Sequence, residues 1–188
     1  MTLDGFSTSL AYNFFRDKAP KWKPHRAVWL QNRTKRYAFL LWLTLMKRMY
    51  TRDRLKFADG PKDCLLCPQK IETHEHLFFE CEVSNRVWKA LRTWLGISRG
   101  STTVFSAMRI IQRNSHRQHI IWKARALTLV AAMYFIWRSR NDILFHSKTF
   151  DHTSIFVQVQ KYVYSSLFFE RKLKDGLKDS LFGYCTRV

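Results

Sequence analysis

Acidic residues, glycine and proline are all scarce in this chain. Its 188 residues hold 14 Asp and Glu against 33 Lys and Arg, a formal net charge of +19. So basic a chain favours polyanionic partners, nucleic acid first and an anionic membrane surface second. With only 6 Gly and 4 Pro, turn-forming residues are too few for a many-stranded β fold. The longest uncharged apolar run, Ala126 to Trp137, is bounded by Arg125 and Arg138. It falls well below the ~20 residues that a membrane helix needs, so it reads as a buried helix. Residues 1–20 lack an apolar core of the kind that marks a secretion signal. We therefore expect an intracellular protein, nuclear or cytoplasmic and not secreted, with its four cysteines reduced. Catalytic motifs are missing too. There is no Gly-x4-Gly-Lys-Ser/Thr phosphate loop, no two Asp are adjacent, and we expect no hydrolase nucleophile elbow.

Three of those cysteines fall in one short stretch with two of the seven histidines. Read as ligands, the order is Cys64-x2-Cys67-x8-His76-x4-Cys81. Zinc takes four soft or borderline donors in a tetrahedron, and Cys3His is a standard closed set. A Cys-x2-Cys turn can aim both thiolates at one metal, and a short helix carrying His76 and Cys81 can close over it. His74 competes with His76. Two residues apart on a helix they point about 200° apart, so only one can ligate. A closed set leaves no position for a reactive water, so Glu72, Glu75 and Glu80 read as a solvated face. Cys185 reads as a lone thiol.

Hydrophobic residues make up 46% of the chain and aromatics 15%, which is ample for a core. Their spacing is helical. Ser7 to Ser9 can cap a helix with Leu10, Phe14 and Phe15 on one face. Pro24 suits the first turn of a helix holding Ala27 to Leu30. Thr34 can cap a helix whose apolar stripe is Ala38, Leu41, Trp42, Leu45, Met46 and Met49. Thr51 can cap a short helix, 52–57. Ser84 can cap a helix over 85–95 that Gly96 ends. Further helices are expected over 104–111, 118–145 and 155–173.

The basic residues concentrate in 16–56, with 13 Lys and Arg against Asp17 and Asp53, a net of +11. We expect Arg33, Lys35, Arg36, Lys47, Arg48, Arg52 and Arg54 to form a phosphate-binding face, since cations gain affinity by releasing counterions. Trp22, Trp29 and Tyr37 are interleaved with them. An exposed ring there could stack on an unpaired base, but Trp29 and Tyr37 read better as core.

Several motifs occur in a fixed order: Phe6 to Tyr12, Val28-Trp29, Tyr37 to Leu43, Arg48 to Leu55, the Cys64-x2-Cys67 pair, Glu72-Thr73, His76-Leu77-Phe78-Phe79, Cys81, Ser84 and Val87-Trp88. In this combination, residues 6–95 resemble the reverse-transcriptase zinc-binding domain at the C-terminal end of plant LINE-type (non-LTR) retrotransposon polyproteins. Trp137-x2-Arg140-Asn141-x3-Phe145 resembles a segment that commonly trails that domain. The resemblance selects His76 over His74 as ligand. It also implies a detached C-terminal piece or degenerate frame without polymerase or endonuclease. One departure is Thr34-Lys35-Arg36-Tyr37, where the family usually has Pro-Lys before this helix.

The expectation is thus an all-α protein: a compact zinc-binding domain over 1–98 with one Cys3His knuckle, and a helical C-terminal extension over 99–188. It should be non-catalytic and carry one structural Zn2+. Its partner should be RNA or target DNA, contacted through sequence-independent phosphate contacts, with the polymerase part of a parent element as a further partner and no membrane. The alternative is a structural or protein-interaction fragment in which zinc only staples helices.

Overall fold

A computed structural model describes residues 7–16, 28–29, 34–55, 60–98, 100–113 and 120–168. Six α-helices run through them: α1 (Thr8–Phe15), α2 (Lys35–Leu45), α3 (Glu82–Trp94), α4 (Val104–Arg113), α5 (Ile120–His146) and α6 (His152–Phe168). Between α2 and α3 lie a 3-10 turn, Arg52–Arg54, and a single π-type turn, His76–Glu80. Among the described residues there is no strand, only an isolated antiparallel bridge between Asp63 and Ile71. The all-α reading holds.

The long helix α5 is the centre of the fold. Ala126 to Met133 are buried without a break, as expected of a helix apolar on every side. It packs against α2, α4 and α6, with α3 and the π turn also in contact, and α3 packs on α6. One core cluster therefore takes Leu41, Phe78, Val87 and Leu91 together with Met133, Ile136, Ile155 and Val159. Tyr37 joins it through an aromatic stack, its ring 3.8 Å from that of Tyr134 and 4.5 Å from that of Tyr162. No helix among the described residues is long and apolar enough to cross a membrane.

Several local expectations change. Ser7 does cap α1, accepting from Leu10 N–H, but α1 buries no residue and Phe14 and Phe15 are exposed. Trp29 is exposed rather than core. The buried face of α2 is turned from the expected stripe. Leu40 and Thr44 go in beside Ala38, Leu41 and Leu45, while Trp42 is half-buried and Met46 exposed. With apolar residues almost all round this helix, periodicity admits more than one face, and packing against α5 selects one. The helix over 85–95 begins earlier, at Glu82, with Cys81 as its cap residue. Trp22, Pro24, Arg33, Cys185 and residues 56–59 lie outside the described residues.

Candidate metal centre and basic face

The first pair of thiols sits in a tight hairpin. Cys64 N–H donates to Lys70 C=O at 2.8 Å, Glu72 N–H to Lys62 C=O at 2.8 Å, and Gln69 N–H to Cys67 C=O at 2.6 Å. These bonds curl the chain so that Cys64 and Cys67 share one side. The second pair depends on the π turn. Five residues along an ordinary α-helix, side chains stand about 140° apart. Here Cys81 N–H donates to His76 C=O at 2.7 Å, an i to i+5 bond that widens the turn and brings the two residues onto one side. Thr73 starts this turn, its hydroxyl accepting from His76 N–H at 3.0 Å.

A widened turn leaves carbonyls without backbone partners, and α3 supplies them. Ser84 Oγ donates to Leu77 C=O at 2.6 Å, and Trp88 Nε1 donates to Phe78 C=O at 2.7 Å. The Trp88 ring also stacks flat on Phe79, with centroids 5.5 Å apart. Ser84 therefore serves the π turn and is not the cap of α3, as the sequence suggested.

The result is a closed donor set. Sγ of Cys64, Cys67 and Cys81 and a ring nitrogen of His76 all lie within 4.8 Å of one another. Cys64 Sγ is 3.9 Å from Cys81 Sγ, Cys67 Sγ is 3.3 Å from Cys81 Sγ, and Cys67 Sγ is 3.1 Å from His76 Nε2. A zinc tetrahedron with bonds of ~2.0–2.3 Å has edges of about 3.3–3.8 Å, so these donors fit one ion. All four are buried and the thiols are unpaired by disulfide. The electrostatics agree. Hydrogen bonding to Cys81 and burial push the Cys64 thiol up, and burial with the adjacent Cys81 raises Cys67. Cys81, accepting from Cys64 and from backbone N–H groups at the start of α3, is held down at about 5. One thiolate is thus favoured on protein contacts alone, and a divalent cation supplies the charge that ionises the others. Bound there, zinc would cross-link the hairpin to the π turn; four protein donors suit architecture rather than activation of water.

Glu72 is the residue that sequence reasoning misjudged most. It is fully buried, not part of a solvated face. Its carboxylate accepts from Arg52 N–H at 3.0 Å, and from Arg140 Nε at 3.0 Å and Nη2 at 2.7 Å. Arg140, equally sealed, lies over Trp137 at 5.1 Å and donates to Asn141 Oδ1. The knuckle is thereby pinned to α5 across 68 residues of sequence. Both residues stood in the quoted motifs, Glu72-Thr73 and Trp137-x2-Arg140-Asn141, but nothing in either motif says that they meet. His74, read as a surface residue, is buried against Phe78, and burial lowers its pKa.

The basic residues are not equivalent. Arg36 reaches Tyr134 Oη at 3.4 Å, Lys47 pairs with Glu75, Arg52 donates to Asp63 C=O at 3.0 Å, and Arg54 donates to Lys47 C=O. Lys35 and Arg48 are exposed, with the Arg48 guanidinium 5.9 Å from the Trp42 ring centre. Gly96-Ile97-Ser98-Arg99-Gly100 does spell Gly-x-Ser-x-Gly, against the expectation from sequence. That elbow requires a strand before the serine. Here helix α3 precedes it, ending at Gly96 with φ 61°, and Ser98 lies exposed in the connection to α4.

Comparison with known proteins fits this geometry. No curated protein and no solved structure matches the chain. Residues 6–88, which include the knuckle and end at Trp88, match the family described as zinc-binding in reverse transcriptase; no polymerase part is matched.

Proposed function

We propose that this protein is a non-catalytic, zinc-stapled nucleic-acid-binding module derived from a non-LTR retrotransposon reverse transcriptase. The observation that carries the reading is the charge, +19 in 188 residues. Phosphates would be met by Lys35, Arg48 and their neighbours, while the zinc holds the scaffold that presents them. Cations that displace counterions from a phosphate chain give an affinity that falls linearly in log–log form with salt. Binding of single-stranded RNA, single-stranded DNA and duplex DNA, titrated against salt, tests this. Steep salt dependence is expected; a flat response, or no binding at low ionic strength, overturns it.

A second reading is favoured by one observation: Arg36, Lys47, Arg52 and Arg54 each already contact a protein group. On that reading the chain is a structural or protein-interaction fragment. Protein captured by the chain after nuclease treatment, without bound nucleic acid, would favour it.

A further inference from the structure

The face of α2 opposite Leu40 and Thr44 carries two aromatic rings, Phe39 exposed and Trp42 half-buried against the core. At 100° per residue, Lys35, Phe39, Trp42 and Met46 fall within about 60° of one another around the helix. The core residues Leu40, Leu41 and Thr44 lie on the other side, while Ala38 and Leu45 flank Trp42 at the edge of the stripe. Phe39 is 50% exposed and Met46 37% exposed. The Phe39 and Trp42 rings stack with centroids 5.6 Å apart at an interplanar angle of 28°. Arg48, just beyond the helix, folds back over Trp42. The stripe therefore runs cation, ring, ring, cation, with Met46 alongside. Within residues 34–55 the only acidic residue is Asp53, against six Lys and Arg, and its carboxylate is held by Thr51.

We infer that this stripe is a stacking platform for single-stranded nucleic acid. Unpaired bases would lie on the open face of Phe39, and the flanking phosphates would meet Lys35 and Arg48. The chemistry distinguishes between partners. A duplex hides its base faces, so exposed rings add nothing to its binding, whereas every unpaired base has a π face to stack. An acidic protein would use the cations but has no need of a ring ladder between them. The inference rests on the nucleic-acid reading above and narrows it from any polyanion to an unpaired strand.

The test uses the full zinc-loaded chain and fluorescence anisotropy with a short labelled RNA strand, alone and as a duplex. Phe39→Ala and Phe39→Leu should each weaken single-strand binding about tenfold, the scale of one lost stacking contact, and leave duplex binding little changed. Phe39→Tyr should restore single-strand affinity. Leu keeps the apolar cover without the π face, and zinc content and melting curves verify that each variant is folded. If the unaltered chain binds neither probe at low salt, the nucleic-acid reading falls and the platform with it. If it binds both, yet Ala and Leu weaken neither or weaken both alike, the platform alone is refuted and a protein partner becomes the better occupant.

Discussion

Around the knuckle, charge is buried and matched: Glu72 and Arg140 are sealed together, and the donors of the metal site face one another. Along the outer face of α2, charge stands in solvent beside the exposed Phe39 ring and the half-buried Trp42 ring. The two regions are joined through α5, which carries Arg140 to the knuckle and packs against the core side of α2. A closed donor set and an ion pair sealed in the core have no capacity left for an outside ligand. An exposed ring and an exposed guanidinium do. The comparison separates the part of the molecule that makes the shape from the part suited to use it.

The largest effect should come from breaking the knuckle. Cys67→Ser removes one thiolate, and structural zinc in small domains is worth ~10 kcal/mol or more. Zinc stoichiometry should fall and the melting transition should broaden or vanish; retained zinc with an unchanged melt would refute the site. Acid should act in the same direction. Protons compete with metal for thiolates, so zinc is held at neutral pH and released as pH falls, which a chelating dye can follow.

Next is the pin between knuckle and α5. Arg140→Ala leaves a buried carboxylate without its partner and should cost about 3–5 kcal/mol in urea unfolding. Replacing both partners, Glu72→Leu with Arg140→Met, should recover much of the loss. A loss as large in the double variant as in Arg140→Ala would show that the pairing itself is not what matters.

A smaller loss is expected at the π turn. Trp88→Phe preserves the ring over Phe79 but removes the donor to Phe78 C=O, at a cost of about 1–3 kcal/mol for an unsatisfied buried acceptor. Zinc affinity measured alongside should weaken if the turn opens. No change in either quantity would mean that the turn is held by packing alone.

The smallest effect belongs to the exposed pair Lys47–Glu75, whose side chains are 55% and 41% accessible. Lys47 holds the Glu75 carboxyl below its ordinary value of 4.5. Its contribution is present above that value and lost as pH falls below it. Glu75→Gln should cost under about 1 kcal/mol, less in high salt. A loss comparable to that of Arg140→Ala would contradict the contrast between buried and exposed charge.

Much of this was legible in the sequence because it is local. Apolar spacing gave the longer helices near their observed bounds; α5, expected over 118–145, spans 120–146, whereas the described residues of the short helix expected over 52–57 form only a 3-10 turn, Arg52–Arg54. Ligand spacing and motif order named Cys64, Cys67, His76 and Cys81, because a metal site imposes short-range intervals on the chain. Charge excess pointed to a polyanion, since net charge survives any folding. Tertiary structure alone decided the rest. Whether Glu72 is solvated depends on where Arg140 arrives, 68 residues later. Which face of α2 is buried depends on packing against α5, because apolar residues nearly encircle that helix. His76 and Cys81 share a side only because the turn widens, and Ser84 and Trp88 from the next helix satisfy the carbonyls it frees. Periodicity and composition count residues along the chain; burial and pairing depend on which distant residues the core brings together.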